Sequence, residues 1–130
     1  MALTQLKLLI NLARVDGVVV EKERDYILNI GEANGVPADE VHPLFERVHD
    51  FAVPTDLDDQ QRFDYIFSLI QLMKIDERLY KEEIRYCARV ASRLGYDQGI
   101  IFDLMLHVRA VMEKNDIEAL RKLTAKYLNQ

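Results

Sequence analysis

The chain repeats itself at a spacing of 60 residues, and this constrains its fold more than any other feature. Asp16 and Asp76, Glu23 and Glu83, Tyr26 and Tyr86, Gly35 and Gly95, and Leu12 and Leu72 are identical pairs at that offset. Ile10 and Ile70 also match, and Val15/Ile75, Val19/Leu79, Ile30/Val90 and Val41/Ile101 match in kind. Repeated units tend to pack as pseudo-symmetric pairs, which brings sequence-distant residues together. Apolar residues recur at helical spacing nearly throughout, and no segment sustains a two-residue alternation. With only 5 glycines and 3 prolines, turns are scarce and a strand-rich fold is disfavoured. The expected fold is all-α: a single compact bundle of about seven helices across residues 1–130. It is built from two helix-turn-helix halves, about 3–53 and 57–113, with a C-terminal helix over 116–129.

Leu3, Leu6, Leu9, Ile10 and Ala13 mark the first helix, which Asp16-Gly17 breaks. The second carries Tyr26, Ile27, Ile30 and Ala33 and ends at Asn34-Gly35, a glycine C-cap. A third spans 38–50 and is kinked or split by Pro43. The stretch 51–56, with Pro54, Thr55 and Asp56, reads as the junction and offers a cap to the fourth helix. That helix carries Phe63, Ile66, Phe67, Ile70 and Met73. The fifth carries Ile84, Cys87, Ala88, Ala91 and Leu94, closed by Gly95. Ile101, Leu104, Val108, Val111 and Met112 make a sixth. Asn115-Asp116 opens a seventh, with Ile117, Leu120, Leu123 and Tyr127 inward.

Composition removes several function classes. Lys and Arg number 17 against 22 Asp and Glu, for a net charge of −5, and no basic patch is interleaved with aromatics. Nucleic-acid binding, which depends on clustered positive charge, is therefore not expected. The apolar run 7–15 is broken by Asn11 and Arg14, so neither a signal segment nor membrane insertion is expected. Cys87 is the only cysteine and falls on an apolar helical stripe, as an inert buried thiol would. A reducing, cytoplasmic setting follows. His42, His49 and His107 lack ligand spacing and read as ordinary helix residues. No phosphate-cradling loop, nucleophile elbow or EF-hand ladder is present, and no enzyme activity is expected.

The remaining chemistry is acidic. Each half places an aspartate at the end of one helix (Asp16, Asp76) and a glutamate seven residues on (Glu23, Glu83). If the halves pack as a pseudo-twofold pair, four carboxylates converge. Like charges so close need raised pKa values or a cation. An all-oxygen set suits calcium, magnesium or manganese. A second reading makes these residues helix-end caps, with Glu23 and Glu83 at the third helical position of a capping box. The hydroxyl half of that box is missing, since Val20 and Tyr80 stand where Ser or Thr would. A third reading is a plain helical adaptor for a protein partner, with an apolar patch near Phe45, Phe51 and Val53 or near Met105 and Met112.

The segment 12–23, from Leu12-Ala13-Arg14-Val15-Asp16-Gly17 to Glu23, resembles the signature of the TerB-like domain. The segment 75–83 resembles that family's second copy, and Leu94-Gly95-Tyr96 resembles its usual helix close. The family includes tellurite-resistance-associated TerB proteins and the N-terminal domain of DjlA-type co-chaperones. The resemblance covers about residues 3–111. It implies a seven-helix bundle with internal duplication, a bacterial source and a stress-response or signalling setting. It also implies an acidic cluster and divalent-cation site at Asp16, Glu23, Asp76 and Glu83. Departures occur at Glu77, where a glycine is often seen, and at Val20 and Tyr80, which replace polar residues. Neither a co-chaperone role nor tellurite resistance is implied.

Overall fold

Two helices of this chain are apolar on nearly every side, and the remaining elements cover them. The computed structural model describes residues 2–15, 17, 19–75, 81–109 and 111–128. Along α1 (Ala2–Ala13), Leu6 and every residue from Leu8 to Ala13 are buried. In α4 (Asp59–Ile75), Phe63, Met73 and nearly everything between Tyr65 and Leu72 are buried. A helix that is hydrophobic all round belongs in the middle of a domain. α1 and α4 accordingly pack on each other.

α2 (Glu21–Ala33) packs against both, as does α5 (Lys81–Arg93). The short α3 (Ala38–Val41) rests on α2, and α6 (Ile100–His107) rests on α4 and α5. α7 (Lys114–Thr124) lies on α6, and a 3-10 turn at Ala125–Tyr127 follows it. There the Asp97 N–H donates to the Tyr127 carbonyl at 2.6 Å, and Tyr96 and Leu128 form an isolated antiparallel bridge. The described residues form an all-helical molecule with seven α-helices. None of those helices is long and apolar enough to cross a membrane.

Helix ends follow their local chemistry. α2 and α5 each have 13 residues and begin at equivalent positions. Both close in a Schellman arrangement: Val36 N–H reaches Gly31 O at 2.8 Å, and Tyr96 N–H reaches Ala91 O at 2.9 Å. The turn needs a left-handed residue, supplied by Gly35 at φ +81° and Gly95 at φ +92°. The polar hooks also recur at the same offset. Asn11 Nδ2 donates to His49 O at 2.8 Å and Gln71 Nε2 to Arg109 O at 3.0 Å. Arg14 Nη1 donates to Phe45 O at 2.7 Å and Lys74 Nζ to Met105 O at 2.6 Å.

Three helical expectations are corrected. The third helix does not reach residue 50. α3 stops at Val41, a 3-10 turn covers His42–Glu46, and Arg47 is extended (φ −147°, ψ 159°). Pro43 has no N–H to continue the α pattern, and it stands in the first turn of the 3-10 segment. The sixth helix ends at His107, with Val108 extended, so Val111 and Met112 lie beyond it. The α4 hooks hold carbonyls on both sides of that break. The seventh helix starts at Lys114 and ends at Thr124, and Leu123 faces out rather than in. The cap of α4 follows the 51–56 loop. Asp58 Oδ1 accepts from Gln61 N–H at 2.8 Å, and Gln61 Oε1 accepts from Asp58 N–H at 3.0 Å. This is a reciprocal capping box.

The cap yields a direct check. Asp58→Ala should lose about 1 kcal/mol of stability in a denaturant titration. Asp56→Ala should change it by less than about 0.5 kcal/mol, as a surface substitution does.

Candidate functional site

α1 ends with Arg14 and Val15 bonded back to Ile10 and Leu12, and Gly17 turns the chain at φ +88°. The extended residue Val20 (φ −81°, ψ 160°) then starts α2. Glu23, at the third helical position, accepts a bond from the Val20 N–H through Oε1 at 3.3 Å. Valine has no side-chain acceptor to return the bond, so half of a capping box is formed. Glu83 occupies the same position in α5. Each glutamate is only 4% exposed, and neither is an unpartnered buried charge. Asp16 and Asp76, the other half of the predicted acidic set, lie outside the described residues. Among the described residues, no three His, Cys, Asp or Glu side chains form a metal-holding group.

One turn after the glutamates come Tyr26 and Tyr86. Tyr26 OH donates to Gln71 Oε1 at 2.7 Å, across to α4. Tyr86 OH donates to Leu8 O at 2.9 Å, across to α1. Burial raises the pKa of both phenols, and it raises Tyr96 to about 12. Cys87 follows Glu83 by one turn and is fully buried. Burial, reinforced by the Glu83 charge, pushes its thiol well above the usual range. A thiol so placed is a poor nucleophile.

Two of the three histidines, His49 and His107, are held by backbone, and His42 is exposed. His49 is in an extended segment, not in a helix shared with His42. Its Nε2 bonds Leu44 O at 2.8 Å, and its N–H reaches Asn11 Oδ1 at 2.9 Å. His107 ends α6 and bonds Asp103 O at 2.8 Å through Nδ1.

The apolar residues expected as a patch are mostly covered. Phe45 is buried, with the Arg24 guanidinium 4.6 Å from its ring centre. Phe51 is half-buried edge-on against Tyr86 (5.9 Å, 81°). Val53, Met105 and Met112 also pack against the core. Between Phe45 and Phe51, Val48 is exposed (68%), and further exposed apolar side chains are Leu3, Val20, Phe102 (68%), Leu106 (78%), Val111 (86%) and Leu123 (50%). Leu106 and Leu123 line an open groove of about 430 Å³ between α6 and α7, with Met112 and Leu120 at its floor. At its edge Arg109 and Asp116 pair at 3.4 Å. A sequence signal existed for this surface. The segment Ile100–His107 is apolar at six of eight positions, and a short helix on the outside of a bundle can bury only one face.

No family model, no curated protein and no solved structure matches this chain.

The buried phenols set an alkaline limit. Their folded pKa values lie above the unfolded value near 10, so their contribution is complete below that pH. It is lost as pH rises further, because the unfolded chain ionises first. Absorbance at 295 nm should therefore show the native protein titrating fewer than its 6 tyrosines near pH 10. The remainder should ionise together with unfolding.

Proposed function

We propose that this chain is a non-catalytic helical docking module of the TerB-like type, built by internal duplication, that binds a protein partner at the α6–α7 groove. The groove carries this reading: two exposed leucines, Leu106 and Leu123, line one cleft over Met112 and Leu120, with a polar edge. Contiguous apolar surface of this kind marks interaction sites. The paired hooks Asn11/Gln71 and Arg14/Lys74 and the matched closes of α2 and α5 support duplication. The buried thiol and backbone-held histidines support a role outside catalysis. The setting is bacterial and cytoplasmic, in stress response or signalling, as the family resemblance implies.

The test removes the groove without touching the core. Leu106→Ser with Leu123→Ser should leave stability within about 0.5 kcal/mol per site. Immobilised wild-type protein should retain a specific protein from extract of its own cells, and the variant should lose it. Equal retention by both would reject the groove.

A second reading is favoured by the matched burial of Glu23 and Glu83, each seven residues after an aspartate in the sequence, Asp16 and Asp76. In it the four carboxylates take calcium, magnesium or manganese. A cation that binds only the folded state raises stability by about 2.7 kcal/mol at a hundredfold excess over Kd. Metal-stripped protein should then melt higher with one of these ions, and Asp16→Asn with Asp76→Asn should abolish the shift. A flat response to all three ions would leave the glutamates as helix-start acceptors.

A further inference from the structure

α2 and α5 have the same length and bury a glutamate at the same position, yet carry opposite net charge on their outer faces. At three solvent-facing sites both helices carry a charge, and at each the sign is reversed: Glu21 against Lys81, Lys22 against Glu82, and Asp25 against Arg85. The α5 stripe continues with Arg89 and Arg93, and the α2 stripe with Asn29 and Glu32, all exposed. No ion pair among the described residues engages Lys81, Arg85, Arg89 or Arg93, nor Glu21, Asp25 or Glu32. The two stripes therefore do not neutralise each other within one chain. The arginines are partly ordered in advance, because Arg89 and Arg93 stand over the Phe51 ring at 4.2 and 5.5 Å. A guanidinium already stacked on an aromatic face loses less freedom when it pairs.

We propose that the basic outer stripe of α5 docks on the acidic outer stripe of α2 in a second copy of this chain. Laid antiparallel, two 13-residue helices of about 20 Å put Glu21 opposite Arg93, Asp25 opposite Arg89 and Asn29 opposite Arg85, while Glu32 faces Glu82 with Lys81 beside it, so the attraction centres on the first three positions. The antiparallel sense also sets the two helix dipoles in favourable opposition. The two stripes are different surfaces, so the contact is head-to-tail. A pair of copies then keeps one unused α2 stripe at one end and one unused α5 stripe at the other, and assemblies lengthen with concentration. Exposed ion pairs are individually weak, so the association is weak and sensitive to salt.

Sedimentation of the wild-type protein tests this over a wide concentration range. The weight-average mass should climb with concentration at about 0.01 M salt, where charges act over about 30 Å. It should return to the monomer at about 1 M, where the range is about 3 Å. Arg85→Glu with Arg89→Glu, which takes the net charge from −5 to −9, should stay monomeric at low salt. Asp25→Arg with Glu32→Arg, which takes it to −1, should do the same. An equimolar mixture of these two variants should associate again, because each supplies the stripe that the other now lacks. Circular dichroism verifies that both are folded. A third variant, Arg47→Glu with Lys114→Glu, also has net charge −9 and should associate as the wild type does. The proposal is overturned if the wild type is monomeric at low salt, if either stripe variant still associates, if the mixture does not, or if the third variant also fails.

Discussion

Mutual burial of α1 and α4 is the constraint on which the rest of the molecule depends. Neither helix has a polar face of any width, so neither is stable in water without cover on all sides. α2 and α5 supply that cover from matched positions, and α6 and α7 complete it around α4. Because about half of the buried apolar core is contributed by two helices, a cavity in either is felt widely. Truncation of a buried Leu or Ile to Ala costs about 2–5 kcal/mol, a large fraction of a typical domain's stability.

Polar groups within this apolar pair do a second job. Asn11 and Gln71 emerge from α1 and α4 to take the carbonyls of His49 and Arg109. Arg14 and Lys74 take those of Phe45 and Met105. These bonds satisfy backbone groups that would otherwise be exposed where the 3-10 turn and α6 give out. They also fix the direction in which the chain leaves each half. Beyond α6 the chain returns so that α7 lies across α6. The apolar groove between α6 and α7 is thus positioned by two side chains of the central helix.

Much of this was legible in the sequence. The helical periodicity, the glycine closes at Gly35 and Gly95 and the buried Cys87 all rest on local chemistry, which sequence carries directly. The length of α6 and the end of α3 were not legible in full. Pro43 announces a break but not the 3-10 turn that follows. Nothing near Val108 announces a helix end, because the groups that hold that segment sit more than thirty residues away on α4. Of the four acidic positions, Glu23 and Glu83 are buried helix-start residues, a role that periodicity and spacing already allowed. Leu123 was assigned inward on helical spacing, but α7 touches the bundle along a narrow stripe centred on Leu120 and Thr124.

Native-state hydrogen exchange is the most direct test of the claim that α1 and α4 hold one interdependent unit. Amides in the middle of both helices should exchange only through global unfolding, with the same free energy and the same denaturant dependence. Faster exchange is expected at the ends of α6 and α7. If α1 and its partners opened at a distinctly lower free energy than α4 and its partners, the halves would be separable units. The account of a shared central pair would then be wrong.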